Sequence, residues 1–139
     1  MTSRHAIIPN LRYADARGAI AFLCAAFGFT EKAIHADPDD DATILHAQLL
    51  YEGQMIMLSS AVDTEYSRAA PLRTVRQAGG NTQSLYVVVD DVDRHAARAR
   101  AAGADIYMEP ENKDYGGRGY SARDPEGNAW AFGDYDPFA

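Results

Sequence analysis

The sequence predicts an α+β fold of two repeated βαβββ units, whose curled mixed sheets surround a cavity and whose helices lie outside. Two spacings carry this prediction. In each half a helix-like segment runs from an Asp to a Gly thirteen positions later, from Asp15 to Gly28 and from Asp90 to Gly103. A Glu-Gly turn recurs 74 positions apart, as Glu52-Gly53 and Glu126-Gly127, and each copy lies between strand-like runs.

The first unit, about residues 5–60, shows the pattern most clearly in its helix. Asp15 is a suitable N-cap, and Gly28 is a suitable residue just beyond the helix end. Ile20, Leu23 and Phe27 recur between them at helical spacing. The predicted elements are a strand at 6–13, this helix at 16–27, a strand at 29–35, a solvated acidic loop at 37–41 and a hairpin of strands 43–51 and 54–59.

The second unit, about residues 83–136, repeats this order after a connector at 61–82 that has no clean period. A stripe of small residues from Val92 to Gly103 predicts a helix that packs closely, capped by Asp90 or Asp91. The remaining predicted elements are strands at 84–89, 105–108, 118–123 and 129–135, with a polar, Gly-rich loop at 109–117.

The last hairpin of the second unit is built around Asp124-Pro125-Glu126-Gly127, which has the composition of a turn. Trp130 and Phe132 follow at alternate positions of the last strand. This alternation predicts a strand with one face packed on a core.

The composition limits the class of protein. A chain of 139 residues fits one domain, residues 1–139, and 47% hydrophobic residues suffice for a core. The net charge of −7 disfavours nucleic acid as a partner and is compatible with a cationic ligand. One cysteine cannot form an internal disulfide. Because the sequence also lacks a membrane-spanning apolar run and a signal peptide, we expect a cytoplasmic protein without a membrane partner.

Two βαβββ units that each end in a glycine turn and hairpin resemble the vicinal oxygen chelate superfamily. That superfamily includes glyoxalase I, extradiol dioxygenases, fosfomycin-modifying enzymes and bleomycin-binding resistance proteins. The resemblance covers nearly the whole chain. Its most specific segments are most similar to the PhnB-like, glyoxalase/bleomycin-resistance branch, and they are Ile8–Tyr13, Ala25–Phe29, Asp114–Tyr120 and Asp124–Asn128.

The resemblance implies a metal position, because the metal-dependent members hold a divalent ion on His from the first strand and Glu from the last strand of each unit. The matching positions in this sequence are Ile8, Ser84 or its neighbour Gln83, Met57 and Ala131. None of these side chains is a strong ligand for a hard or borderline metal. We therefore expect no metal at the usual position and no cofactor. A divalent metal on nonstandard ligands such as His46 and Glu52 is the alternative.

Strand alternation selects the side chains that line the hollow between the sheets. If the ligand positions of the family face inward, Ala131 lines the hollow, and we expect Tyr120 opposite it with Arg118 on the same face. The predicted ligand-binding residues are Asn10, Arg12, His46, Gln48, Met55, Met57, Ser84, Tyr86, Tyr115, Arg118 and Tyr120. An aromatic, Met-rich lining with few polar groups is typical of a small-molecule pocket.

Several of these residues also have ordinary structural interpretations. His46 and Tyr120 are the candidate catalytic groups, but His46 is also compatible with a satisfied rim histidine and Tyr120 with a core aromatic. Arg12 could instead pair with Asp15 or another acid. Tyr115 and the Gly-rich segment around Arg118 form either a simple loop or a flexible lid over the ligand.

Two functions remain open at this point. The first is a metal-independent binding protein of the bleomycin-resistance type, which sequesters a cationic or aromatic drug or metabolite and contributes to antibiotic resistance. The alternative is a glyoxalase I-like lyase or isomerase, or another enzyme of the superfamily, with a nonstandard or absent metal site. A ligand-sensing domain is a third hypothesis. The resemblance also implies a homodimer, since units from two chains often complete the cavity in this superfamily.

Overall fold

The computed structural model describes residues 3–139, so the first two residues of the predicted domain lie outside the described part. Its elements form two four-stranded mixed sheets, with strand orders β1-β4-β3-β2 and β5-β8-β7-β6. The elements are β1 (Asn10–Tyr13), α1 (Ala16–Phe27), β2 (Thr30–Asp37), β3 (Asp40–Tyr51), β4 (Gln54–Ser60), α2 (Glu65–Ala69), α3 (Val75–Ala78), β5 (Ser84–Val88), α4 (Val92–Ala101), β6 (Asp105–Asn112), β7 (Arg118–Arg123) and β8 (Ala129–Gly133). The predicted pair of βαβββ units is confirmed. No hydrogen-bonded strand pair joins the two sheets within the described residues.

Helix α1 has the bounds that the sequence predicts. The Asp15 carboxylate accepts a hydrogen bond from the Gly18 backbone N–H at 3.0 Å, which caps the first turn. Gly28 ends the helix in the left-handed conformation, with φ of 86°. The buried face includes Leu23 and Phe27, which have no exposed surface. Local chemistry therefore sets both ends of this helix, and packing of its apolar face stabilises it.

Helix α4 packs on α1 through its small residues. Asp91 caps it, and Ala96 and Ala99 are buried. The Arg98 guanidinium donates hydrogen bonds to the backbone carbonyls of Ala25 and Cys24 near the end of α1, at 2.9 and 3.1 Å. These bonds satisfy carbonyl groups that the last turn of a helix leaves without partners. The two units are thus joined helix to helix.

An aromatic core lies between the helices and the sheets. Phe27 of α1 contacts Trp130 and Phe132 of β8, with ring centroids 5.3 and 4.6 Å apart. Trp130 and Phe132 are fully buried, as their alternation in the sequence predicts. Because a side chain of the first unit packs directly on the last strand of the second, the two units share one core.

Each sheet has a second face that points away from its helix, which we call the open face. In the first sheet it carries Gln48 opposite Met57, and in the second it carries Ser121 opposite Ala131. Tyr120 pairs with Phe132 and lies on the helix side. The predicted pairing of Tyr120 with Ala131 is therefore wrong by one residue.

The cause of this shift is the length of the turn. The first hairpin closes with the two-residue turn Glu52-Gly53 between Tyr51 and Gln54. In the second hairpin the Asp124 backbone N–H donates to the Asn128 carbonyl, and the Asp124 carbonyl accepts from the Gly127 N–H. Three residues, 125–127, therefore lie in the turn between Asp124 and Asn128. One extra residue shifts the register of β7 by one, and a shift of one turns every side chain to the other face.

Two predicted loops are shorter in the structure. The acidic segment 37–41 contains the tight turn that joins β2, which ends at Asp37, to β3, which begins at Asp40. The Asp40 carboxylate accepts hydrogen bonds from the Ala42 N–H and the Thr43 hydroxyl. Strand β6 extends to Asn112, so much of the expected loop at 109–117 is sheet. The polar composition of both segments reflects their exposure at the edge of a sheet.

The connector contains two short helices, α2 and α3, and each begins with a capping box. The Thr64 and Thr74 hydroxyls accept hydrogen bonds from the backbone N–H groups of Ser67 and Gln77. In return, the Ser67 and Gln77 side-chain oxygens accept from the backbone N–H groups of Thr64 and Thr74. The connector thus has a defined course against the open face of the first sheet. None of the helices in the described residues has the length and apolar run needed to cross a bilayer.

Candidate functional site

A cavity of about 430 Å³ lies between the two units at the free edge of β5, and we call it the edge cavity. The side chains that shape it include Ile7, Met55, Tyr86, Val88 and Phe138. Its charged lining residues are Glu52 and Asp136, and no lysine, arginine or histidine lines it among the described residues. The cavity is therefore apolar and aromatic with an acidic rim, and its volume falls in the range of small-molecule sites.

Tyr86 is the best-positioned polar group of the edge cavity. Its hydroxyl donates to the Tyr135 backbone carbonyl at 2.7 Å. Its ring lies against Gly133, where a Cβ would come within 2.7 Å of the Tyr86 hydroxyl. Burial, helped by nearby Tyr115 and Asp134, raises the pKa of Tyr86. The ring is held in place while 44% of the residue stays exposed.

Tyr115 lies in the same area but at the surface. Its ring meets that of Tyr135 edge to face, with centroids 5.5 Å apart, and 66% of it is exposed. With Tyr86 it forms an aromatic cluster beside the acidic residues Asp134 and Asp136. Rings next to carboxylates suit a cationic aromatic partner, which the ring faces and the charges both attract.

The open face of the first sheet brings together other residues that the sequence selects. His46 and Gln48 contact each other through Nε2 atoms 3.2 Å apart, and the His46 ring stacks on His35 with centroids 6.2 Å apart. His46 also lines a cavity of about 240 Å³ together with Asn10 and Arg12. Met57 lies beside Asn10 in the parallel β1–β4 pair.

Arg12 does not pair with Asp15, which instead caps α1. One guanidinium nitrogen of Arg12 donates to the Val62 backbone carbonyl at 2.6 Å. Its Nε is buried and has no hydrogen-bond partner within the described residues. Arg12 also reaches a second cavity of about 280 Å³ beneath the connector, together with Arg73.

Two of the predicted ligand-binding residues lie elsewhere. Tyr120 is 1% exposed in the core, where its hydroxyl contacts His95 Nδ1, and burial strongly raises its pKa. Arg118 forms a forked pair with Asp93 of α4, with both distances 2.9 Å. Neither reaches the open face, because the register of β7 turns both toward the helix.

The positions that the resemblance matches to the metal ligands of the superfamily carry no strong ligand. Ile8, Met57 and Ala131 offer no side-chain nitrogen or oxygen donor, Ser84 offers only a hydroxyl, and its neighbour Gln83 offers only an amide. Glu52 lies in the turn after β3, six residues beyond His46, which is about 20 Å of extended chain, and the two residues line different cavities, so they do not form a shared ion site. Within residues 3–139 no group of three or more His, Cys, Asp or Glu side chains could hold a metal. This donor set does not fit the metal of the superfamily.

The sequence gives no signal for several residues that the structure places at these cavities. Arg73 lies in the connector, where no periodicity assigns a face. Phe138 and Asp136 follow the last strand, beyond the repeat. Tertiary packing alone brings these segments to the cavities.

Comparison with known proteins agrees with this architecture. The Glyoxalase/Bleomycin resistance protein/Dioxygenase superfamily matches residues 5–132. An uncharacterized protein of Mycobacterium bovis is 31% identical over 128 residues, which cover 92% of this chain and 82% of that protein.

Among solved structures, TioX from Micromonospora sp. ML1 has a TM-score of 0.69 and 30% identity, covering 93% of this chain and 94% of TioX. A glyoxalase I mutant from Zea mays has a TM-score of 0.68 and 19% identity, covering 91% of this chain and 43% of that chain. The second likeness concerns the fold alone. On the match over residues 5–132 and the identity to its relatives, this protein belongs to the Glyoxalase/Bleomycin resistance protein/Dioxygenase superfamily.

Proposed function

We propose that this protein is a metal-independent small-molecule binding protein of the bleomycin-resistance type, whose ligand is a cationic aromatic molecule bound in the edge cavity. The observation that carries the proposal is the composition of that cavity. It combines the fixed ring of Tyr86 and the side chains of Met55 and Val88 with the carboxylates of Glu52 and Asp136.

Each component has a role in binding such a ligand. The apolar side chains and the Tyr86 ring offer a surface on which a planar ligand can stack, and Met adapts to irregular shapes. The carboxylates lie at the rim, where they attract a positive charge without being buried. Binding by stacking and charge needs no acid, base or metal. This agrees with the absence of strong metal-binding side chains at Ile8, Ser84, Met57 and Ala131.

Titration calorimetry with three tricyclic probes at pH 8 tests this proposal. We expect 9-aminoacridine, which is cationic, to bind more tightly than neutral acridine, and acridine-9-carboxylate to bind most weakly. Tyr86→Ala should weaken 9-aminoacridine binding by about tenfold or more, since burying an aromatic ring contributes about 1.5–3 kcal/mol. Tyr107→Ala is the matched control, because Tyr107 is half-exposed on β6 and does not line the edge cavity.

A separate measurement tests whether binding requires a metal. Binding measured after dialysis against a chelator should equal binding with added nickel or zinc. The proposal fails if the three probes bind equally, if Tyr86→Ala and Tyr107→Ala have the same effect, or if binding requires the metal.

The second candidate is a glyoxalase I-like lyase or isomerase, and one observation favours it. His46 and Arg12 line the same 240 Å³ cavity, so a base and a cation lie near each other. Tyr120 is not available as the base because it is buried in the core. Turnover of methylglyoxal–thiol adducts that is lost in His46→Gln would favour the enzyme over the binding protein.

We further propose that a second copy of the chain covers the edge cavity. Ile7 and Phe138 on its rim are 99% and 97% exposed, and two apolar side chains so exposed at one site favour a partner. Strand β5 beside them has a free edge. Sedimentation equilibrium should show a dimer that Ile7→Glu weakens, whereas a monomer at all working concentrations would contradict it.

A further inference from the structure

The geometry points to a second binding site, for a small organic anion, in the cavity between the connector and the open face of the first sheet. We call it the connector cavity, and Arg12 and Arg73 are its two cations. This site is distinct from the edge cavity, so the inference does not depend on the proposed function.

The connector cavity is small and polar. Its volume is about 280 Å³, just below the range of about 300–1,000 Å³ that is usual for small-molecule sites. Besides the two arginines, it is lined by residues with amide or hydroxyl side chains, Asn10, Ser59, Thr82 and Gln83. These groups can donate hydrogen bonds to an oxyanion, and the short helix α3 and Leu72 close one side.

The charge of the cavity is unusual for this protein. The chain carries a net charge of −7, yet no Asp or Glu lines the connector cavity. The six ion pairs within the described residues include neither Arg12 nor Arg73. Asp63 lines a neighbouring cavity with both arginines, but its carboxylate pairs with Arg68. The connector cavity itself is therefore lined by two arginines and no carboxylate.

Arg12 also has an unused donor. One terminal nitrogen is held by the Val62 carbonyl at 2.6 Å, while the buried Nε has no partner within the described residues. A buried N–H without a partner costs free energy. Because Nε has almost no accessible surface, the donor that can meet a ligand is the other terminal nitrogen of Arg12, which has no partner within the described residues. The forked guanidinium matches the paired oxygens of a carboxylate or phosphate group. We therefore assign the ligand as a small molecule that carries one such group.

Titration calorimetry with benzoate and phenyl phosphate tests the site, with benzyl alcohol as the neutral control. We expect saturable binding of at least one anion and none of the alcohol. Arg73→Gln should weaken anion binding by about tenfold or more, the loss expected for a hydrogen bond to a charged group. Arg76→Gln is the matched control, because Arg76 lies on the same connector but does not line this cavity. Its effect should stay within about twofold.

Arg73 is exposed and outside the regular elements, so its variant should keep the thermal midpoint of the parent. Arg12→Lys keeps the charge but loses the fork, and it should also weaken binding. A preference between benzoate and phenyl phosphate then assigns the anionic group. Equal losses in Arg73→Gln and Arg76→Gln, or no saturable binding of either anion, would overturn the inference. In both cases 9-aminoacridine binding stays as an independent test of the edge cavity.

Discussion

Replacing Asp124 with alanine should lower the free energy of unfolding by about 3–5 kcal/mol, because this buried carboxylate joins the two units. Asp124 is 4% exposed. It accepts hydrogen bonds from the Tyr13 hydroxyl at 2.6 Å and from Trp130 Nε1 at 3.2 Å. Backbone N–H groups of Glu126 and Asn128 donate to its other oxygen, at 3.1 and 3.0 Å. One side chain thus holds the end of β1, the last turn and the core.

The magnitude follows from the donors that the alanine would leave behind. Tyr13 and Trp130 have no exposed surface, so both would lose, away from water, the only acceptor that they have within residues 3–139. A buried unsatisfied donor costs about 1–3 kcal/mol, so the two together account for most of the expected loss. The backbone donors of the turn are less buried and can bind water. Tyr13→Phe removes one donor and leaves the others in place, and it should cost about 1–2 kcal/mol.

Urea unfolding, followed by far-UV circular dichroism and by the fluorescence of the single tryptophan, measures these values at one protein concentration. The double variant should be more stable than the sum of the single losses predicts, by about 1–2 kcal/mol, because Tyr13→Phe removes a donor that Asp124→Ala leaves unpaired. Asp39→Ala, at an exposed turn, is the control. A loss below about 1 kcal/mol in Asp124→Ala, or additive losses, would refute this reasoning.

The remaining predictions concern the residues that lie on the helix side of the second sheet. Burial lowers the pKa of His95, with Arg98 adding to it and the hydrogen bond to Phe27 opposing it. The unfolded chain then binds the proton more readily, so the stability from His95 is present above about pH 6.5 and is lost as the pH falls. The free energy of unfolding of His95→Gln, measured by urea titration from pH 7 to 5, should therefore fall less than that of the parent, and an unchanged pH profile would exclude His95 as the cause. Tyr120→Phe should lower stability by about 1 kcal/mol and leave calorimetric ligand affinity unchanged, while a loss of affinity would place Tyr120 at the site after all. Arg118→Gln should likewise leave affinity unchanged, since the Arg118 guanidinium is held by Asp93.

Most of the fold could be predicted because its signals are local. Asp15 and Gly28 fix the ends of α1 through side-chain and backbone chemistry that needs no tertiary contact. The alternation of Trp130 and Phe132 gives their burial in the same way. The exact register of β7 could not be predicted, because the same Glu-Gly pair occurs in a two-residue turn and in a longer one.

The candidate site could be predicted only where one strand decides the outcome. His46, Gln48 and Met57 share the open face because alternation within a hairpin of known register puts them there. Arg73 and Phe138 could not be found, since they come from segments without a period that reach the cavities through packing. The positions of side chains that reach a cavity from another segment depend on tertiary structure, which the residue pattern of one strand does not encode.

The extra residue in the second turn also makes the two open faces chemically unequal. The register that places His46 and Gln48 on the first open face places Gly119 and Ser121 at the equivalent positions of the second. The first face therefore carries polar groups beside Met57, with Arg12 nearby, while the second carries small residues beside the Tyr86 ring. Small residues let a flat ligand lie close to the strands, and polar groups fix its orientation. This difference favours binding of flat groups against the second face and of polar or anionic groups against the first, where Asn10 and Arg12 line the connector cavity that the benzoate titration probes.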